Sequence, residues 1–438
     1  MKKRSYLLTL GCPKNTVDAE AMTCLLQEAG WRKVEQPDRA DLLIVNTCAF
    51  IEPAREESYA ALQELAEHKR SGQVLLAAGC LPQRYGEEVR RAVPGVDGIL
   101  GTREWANINL RVAQLLGLDA GTSLQPCGEV SVVAPMRRQA QGPSAYVKIA
   151  DGCSAPCTFC AIPLIKGPQK SKARAAILEE ARQLVSQGVQ ELILIAQDTT
   201  AYGRDWVESD ALPSLIADIL NTVPQLPWLR VMYTYPQHIT PRLIETMARH
   251  SQVCHYLDMP LQHAHPATLR RMHRSPDIEG VRRLIASLRQ AMPDIALRTT
   301  FIVGYPGETE EEFAALLDFI AEMTFDKVGA FVYSPEEGTA AASLPNPVAR
   351  EIAEERYARL MELQRVISLT RNQMQVGRTL DVLIEGTGDG LSVGRCYRDA
   401  PEIDGYVLMR GEHPVGRMVK VQIERALEYD LEGRVLLC

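Results

Sequence analysis

The sequence predicts an α/β protein in three parts: an N-terminal open parallel α/β sheet domain, a central partial (βα)6 barrel and a C-terminal small all-β barrel. Three observations predict it. Short apolar runs alternate with helical stretches through the first part of the chain. Six further strand–helix units follow from Ala145 onward. From Arg378 the text turns into short strands and turns rich in glycine. The length, 438 residues, suits two to four domains at roughly 150 residues each. The expected divisions are 1–125, a linker over 126–143, 144–372 and 373–438.

In the first part, residues 5–10, 41–46 and 73–78 are apolar runs that read as buried parallel strands. Between them lie helical stretches from Asp18 to Glu28, closing at Gly30, and from Pro53 to His68. Around 119–143 the periodicity disappears into Gly, Ser, Pro, Gln and Arg, the mark of a linker. The barrel strands are expected at 145–150, 191–196, 229–234, 255–260, 296–304 and 327–334. Among the intervening helices, Arg174 to Gln187 carries Ile177, Ala181, Leu184 and Val185 on one face and stops at Gly188. A long helix from Ala349 to Asn372 is marked by Leu360, Leu363 and Ile367.

Composition narrows the class. Hydrophobic residues make up 46% and charged residues 24%, which fits a folded globular chain and excludes general disorder. No apolar run approaches the ~18 to 20 residues that span a bilayer. The basic start, Met1-Lys2-Lys3-Arg4, leads into an apolar run too short for a signal peptide, so a cytoplasmic protein with no membrane partner is expected. The net charge of −7 argues against a surface built to attract polyanions.

The 11 cysteines are the main clue, because cytoplasmic chains rarely keep disulfides. Cys153, Cys157 and Cys160 directly follow the first barrel strand, where active-site loops of such barrels sit. Three thiolates so spaced can hold one [4Fe–4S] cluster and leave one iron open for a small molecule. Zinc would more often show paired C-x-x-C groups with a fourth ligand. A second set, Cys12, Cys48 and Cys80, ends three successive strands. Carboxyl ends of neighbouring parallel strands meet at one edge, so these three can converge. Small core thiols are the plainer alternative for this set.

The segment Cys153-Ser-Ala-Pro-Cys157-Thr-Phe159-Cys160 resembles the radical S-adenosylmethionine (SAM) superfamily signature, with Phe159 as the aromatic residue before the last cysteine. The resemblance implies that SAM binds the open iron and is cleaved to a 5′-deoxyadenosyl radical. With Cys12, Cys48 and Cys80 added, nearly the whole chain is similar to the methylthiotransferase family, whose C-terminal barrel is a TRAM domain. That likeness implies two [4Fe–4S] clusters on these six cysteines, with the second handling sulfur. It also implies two SAM molecules per turnover, an unidentified electron donor and transfer of a methylthio group to an unactivated carbon.

Of the family's two branches, one modifies tRNA adenosine and the other modifies the β-carbon of an aspartyl residue of ribosomal protein S-twelve. Pro13-Lys14 after Cys12, the stretches 194–203, 260–264, 298–308 and 333–338, and Ala400 to Gly405 look like the second. The tail from Arg378 holds eight basic and eleven acidic residues, which suits a basic protein such as ribosomal protein S-twelve, or the small ribosomal subunit, better than tRNA. Lys166 stands where relatives usually have Arg, and Ala173 where Pro is common. The likeness further implies SAM contacts at Gly304, Glu308 and Gln197, and at Arg298 a pairing with a carboxylate of SAM or of substrate, each with a structural alternative: a turn, a buried hydrogen bond or an ion pair with a neighbouring acid. His255, His263 and His265 read as satisfied polar groups. A rival of another class is a non-catalytic ribosome-binding factor whose thiols bind zinc.

Overall fold

Parallel strands buried on both faces set the frame of the first two domains. The computed structural model describes residues 3–117, 136–206 and 210–436. Cys127, Cys438 and residues 126–135 of the expected linker lie outside them.

The N-terminal sheet has five parallel strands: β1 (Arg4–Thr9), β2 (Arg32–Lys33), β3 (Leu42–Thr47), β4 (Val74–Gly79) and β5 (Gly98–Gly101), in the order β2-β1-β3-β4-β5. Every residue of β3 is buried, as expected of a central strand covered on both faces. Helices α1 (Pro13–Glu28), α2 (Glu52–Glu67), α3 (Cys80–Tyr85), α4 (Glu88–Ala92) and α5 (Ile108–Leu115) cover it. The sequence expects α1 to begin at Asp18, yet it begins at Pro13, at once after Cys12. Its first two turns carry Lys14, Asn15 and Asp18, all buried, the first and last against the barrel and Asn15 against the ends of β1 and β3, so polar residues occupy positions where periodicity looks for apolar ones.

The central domain has β6 (Ser144–Lys148), the short pair β7 (Ala150–Asp151) and β8 (Lys170–Ser171), then β9 (Glu191–Ile195), β10 (Trp228–Val231), β11 (Tyr256–Asp258), β12 (Ala296–Val303) and β13 (Lys327–Val332). Two parallel sheets, β10-β9-β6 and β11-β12-β13, are joined by a parallel bridge between Leu229 and Val253. The result is a six-stranded partial barrel. Its helices are α6 (Ile162–Lys166), α7 (Arg174–Ser186), α8 (Ala211–Thr222), α9 (Pro241–Arg249), α10 (Pro266–Arg271), α11 (Ile278–Ala291), α12 (Glu310–Met323) and α13 (Arg350–Gln373). Ile177, Ala181 and Leu184 of α7 and Leu360 of α13 enter the barrel's core. Thr309 and Glu312 cap α12 reciprocally, which fixes where that helix starts.

The C-terminal barrel is closed in the order β14-β15-β16-β18-β17, with β14 (Thr379–Gly388), β15 (Leu391–Cys396), β16 (Val407–Arg410), β17 (Met418–Ala426) and β18 (Leu431–Val435). Its segment 395–404 is fastened to the central domain through buried ion pairs. Glu191, at the start of β9, accepts from Arg230 at 2.7 Å and from Arg395 at 2.6 Å. Asp399 pairs with Lys327 at 2.8 Å, and Arg398 with Asp326 at 2.6 Å. The stretch Ala400 to Gly405, singled out in the sequence, therefore belongs to this seam. The described end of the linker region is also tied down. Arg138, 5% exposed, donates to Glu20 of α1 and Glu180 of α7, both at 2.5 Å.

Burial alone would raise the Glu191 carboxyl, but Arg230 and Arg395 hold it down at about 2. Its stabilisation is therefore present above about 4.5 and lost as pH falls from there toward 2. Glu191→Gln leaves the buried Arg230 guanidinium without its anion and Arg395 with Glu385 alone, so urea melts at neutral pH are expected to show a loss of about 3 to 5 kcal/mol. The deficit relative to the wild type should shrink on acidification below pH 4.5. A deficit independent of pH would show that Glu191 acts by packing alone.

Candidate functional site

Cys12, Cys48 and Cys80 stand just beyond β1, β3 and β4, neighbouring strands of one sheet. Their loops are stitched to one another. Asn15 donates to the carbonyls of Leu10 and Thr47, both at 3.0 Å, and Asn46 donates to the Asn15 carbonyl at 2.8 Å. Thr47 Oγ1 donates to the Ala78 carbonyl at 2.6 Å, and Ser58 Oγ to the Cys48 carbonyl at 2.8 Å. Gly11 and Gly79, each preceding a cysteine, have φ of +89° and +98°. A Cβ on Gly11 would come within 2.6 Å of Cys48, and one on Gly79 within 2.6 Å of Asn46. Only glycine fits at these two places, and it lets the loops close together.

The second set follows β7. Cys153 N–H donates to the Gly167 carbonyl at 3.0 Å, and Cys160 N–H to the Cys157 carbonyl at 3.2 Å. Thr158 anchors the loop to the barrel, donating to the Met272 carbonyl from its backbone and to the Arg271 carbonyl from its hydroxyl. Arg274 lies against Cys157 Sγ at 3.6 Å, donates to the Pro260 carbonyl at 2.8 Å and stacks on Tyr235.

All six thiols line one cavity of about 410 Å³ between the N-terminal sheet and the mouth of the barrel. Cys12 is exposed; Cys48 and Cys80 are buried. Phe50 and Phe331, both largely exposed, stand among its lining residues, and Ile162 and Ile165 add apolar surface. Burial pushes Cys48 up to about 11 and Cys160 up to about 12, and raises Cys80 and Cys153 as well. Such thiols stay protonated at neutral pH until a positive partner replaces the proton. Among the described residues, no three His, Cys, Asp or Glu side chains converge on a point that would hold a single ion. A four-iron cluster, with its ligands distributed over several irons, does not need such a point.

An ionic node joins the two loop systems. Asp18 of α1 pairs with Lys148 of β6 and, at 3.4 Å, with Lys166 of α6. Asp151 pairs with the same two lysines, at 2.9 and 3.2 Å. Burial alone would raise Asp151, but Lys148 and Lys166 outweigh it and keep it ionised far below the usual carboxylate range. Lys166, noted in the sequence as a departure from Arg, also donates to Thr102 at 2.9 Å, so its charge is held by the node. Ala173 is the N-cap of α7 and supplies no side-chain cap.

Phe159 and Gln197 line the cavity. Gln197 donates to Asp151 at 3.3 Å, while its Oε1 is buried without a partner. Asp198, also on the wall, accepts from His238 at 2.7 Å. Arg298, Gly304 and Glu308 are not among the lining residues. Arg298 pairs with Asp258 at 2.8 Å and Asp404 at 3.5 Å. Glu308 pairs with Arg356 at 2.7 Å. Gly304, at φ +74°, lies so near α13 that a Cβ would meet Ala353 at 2.4 Å. Each makes an internal contact, while Glu308 keeps its Oε2 buried without a hydrogen-bond partner. His255 pairs with Asp294, and His263 and His265 lie beside Glu308 and Glu312.

Sequence reasoning missed Tyr233, Tyr235 and Arg274 as cavity residues, and used Lys14 only to distinguish branches. Tyr233 has φ +60°, a conformation no sequence pattern announces. Lys14 Nζ lies 3.0 Å above its ring, and burial lowers the ammonium to about 8.

The chain resembles known proteins over its whole length. Three family models match in series: the uncharacterized protein family UPF0004 over residues 4–101, the radical SAM superfamily over 147–320 and the TRAM domain over 376–436. The ribosomal protein uS12 methylthiotransferase RimO of Chloroflexus aurantiacus is 51% identical, with 98% of this chain and 99% of the relative covered. That of Herpetosiphon aurantiacus is 48% identical with the same coverage. The chain belongs to the RimO family of radical SAM methylthiotransferases. Membership implies SAM and [4Fe–4S] clusters. Among solved structures, the radical SAM methyltransferase TsrM from Kitasatospora setae aligns with a TM-score of 0.60 at 15% identity, covering 92% of this chain and 82% of that one. The cobalamin-dependent radical enzyme OxsB aligns at 0.51 and 11% identity, over 83% and 56%. At such identities the likeness is one of fold.

In metal-free protein near neutral pH, iodoacetamide is expected to label Cys12 about tenfold or more faster than Cys48 or Cys80, followed by mass spectrometry of the digests. The Cys48 rate should climb as pH approaches 11. Equal rates for the three would contradict this burial pattern.

Proposed function

We propose that this chain attaches a methylthio group to the β-carbon of an aspartyl residue of ribosomal protein uS12. The convergence of six thiols on one cavity carries the chemistry. Identity of about half, end to end, with relatives named for that activity supports the substrate. Cys153, Cys157 and Cys160 would hold one [4Fe–4S] cluster, and Cys12, Cys48 and Cys80 a second. Soft sulfur donors in a partly apolar cleft are the donor set that fits such groups. When bound, the clusters and two molecules of SAM supply the radical, the sulfur and the methyl group.

The chain's own residues do the positioning. The Asp18–Lys148–Lys166–Asp151 node keeps the two loop systems face to face. Arg274 offers a positive donor to Cys157, which suits a thiolate there. Phe159 and Phe331 give the wall aromatic surface. Gln197 Oε1 is an acceptor left free for a bound group. The partner is uS12 free or within the small ribosomal subunit, together with an electron donor. We place the protein in the cytoplasm, and no helix among the described residues is long and apolar enough to cross a membrane.

The test is an anaerobic competition. Reconstituted protein, SAM and reductant are offered uS12 and bulk tRNA together, and mass spectrometry locates the methylthio group. Modification of a uS12 aspartate is expected. Modification of adenosine instead would overturn the substrate while keeping the cysteine assignments. Cys157→Ala should abolish deoxyadenosine formation; unchanged formation would refute its role as ligand.

A further inference from the structure

The cavity contains one cation that no carboxylate among the described residues touches; Asp258 and Asp151 act on it only from a distance. Lys14 is 6% exposed, and its ammonium rests on the Tyr233 ring; among the described residues it has no ion-pair or hydrogen-bond partner. The other cations on the wall are engaged. Lys166 is held by Asp18, Asp151 and Thr102, and Arg274 by the Pro260 carbonyl and Cys157. A buried charge without a direct partner is costly, and an arriving carboxylate would complete an ion pair there.

The platform under Lys14 is built for the purpose. Tyr233 is held in the left-handed region, at φ +60°, a strained conformation for a bulky aromatic residue. Its N–H donates to Asp258 Oδ2 at 3.2 Å, and its carbonyl accepts from Thr199 N–H at 2.9 Å. Asp258 is in turn locked by Arg298 at 2.8 Å. Surroundings that fix this backbone hold the ring beneath the ammonium. Pro13 at the first position of α1 fixes the other side, so Lys14 is presented from a helix start rather than a loose loop.

We infer that Lys14, on its Tyr233 platform, recognises the side-chain carboxylate of the target aspartyl residue and selects aspartate over asparagine. The inference rests on the reading of the substrate given above. An ammonium pairs with a carboxylate but gains far less from a neutral amide. The β-carbon is bonded directly to the carboxylate carbon, so a grip on that group places the reacting carbon in the cavity beside Cys12. Arg298, the residue the sequence offered for this role, is already paired with two acids.

The test compares wild type, Lys14→Met and Lys14→Arg on two substrates, uS12 and uS12 whose modified aspartate is replaced by asparagine. Binding of each substrate is measured anaerobically without reductant, and kcat and KM of methylthio transfer are measured with it. Iron and acid-labile sulfide per chain are determined for every variant. Wild type is expected to prefer the aspartyl substrate by about tenfold or more in both binding and kcat/KM. Lys14→Met should remove that preference by weakening the aspartyl substrate alone, and Lys14→Arg should restore most of it. Equal losses on both substrates, an unchanged preference, or loss of iron in both variants would overturn the assignment. If wild type leaves uS12 unmodified but modifies tRNA, the substrate reading fails, and Lys14's role with it. If wild type modifies uS12 and Lys14→Met keeps the preference, only the Lys14 assignment fails.

Discussion

Asp18 is the residue on which the arrangement turns. It lies in the first turns of α1, six residues after Cys12, and pairs with lysines from the central domain. One of these, Lys148, sits at the end of the strand before the Cys153 loop; the other, Lys166, ends the helix after Cys160. Asp151 completes the node from inside that same loop region. Three buried charges and the half-buried Asp151 are stable as a set, because Asp18, Lys148 or Lys166 alone would be desolvated without return. The node therefore fixes more than contact between domains. It fixes which edge of the N-terminal sheet faces the barrel mouth, and that edge carries Cys12, Cys48 and Cys80.

The opposite end of the barrel is closed by a different set of charges. Glu191 gathers Arg230 and Arg395, while Asp326 and Lys327 take Arg398 and Asp399. Tyr256 donates to Asp404 at 2.7 Å from within the barrel. The C-terminal domain thus supplies the barrel's floor. Asp399, Asp404 and Glu385 are consumed by internal pairs with Lys327, Arg298 and Arg395, while Arg395 and Arg398 of the same domain are consumed by Glu191 and Asp326, so the seam leaves the domain's acidic balance nearly unchanged.

Much of this was legible in the sequence, for physical reasons that can be named. Strands such as β3 and β9 are buried on both faces, and their composition says so without interference from neighbours. The repeated placement of a cysteine after a strand pointed to one edge because parallel strands align their carboxyl ends. Other features depend on partners distant in the chain. The start of α1 was hidden because its first buried residues are polar, and Asp18 among them faces lysines more than a hundred positions away. Strands β2 and β5, two and four residues long, are too short to impose a pattern. Arg298 and Glu308 have the composition of ligand contacts, and only the positions of Asp258, Asp404 and Arg356 reveal them as paired. The backbone of Tyr233 leaves no trace in residue type at all.

The proposed assignment puts two iron–sulfur centres on the walls of a single cavity. Electron paramagnetic resonance of the reconstituted, reduced protein tests it most directly. Two centres so close should couple magnetically and broaden the spectrum, and the broadening should vanish when Cys12, Cys48 and Cys80 are replaced by Ala, leaving one simple signal. Two signals that add without broadening, or a spectrum unchanged by removing those three cysteines, would contradict the account.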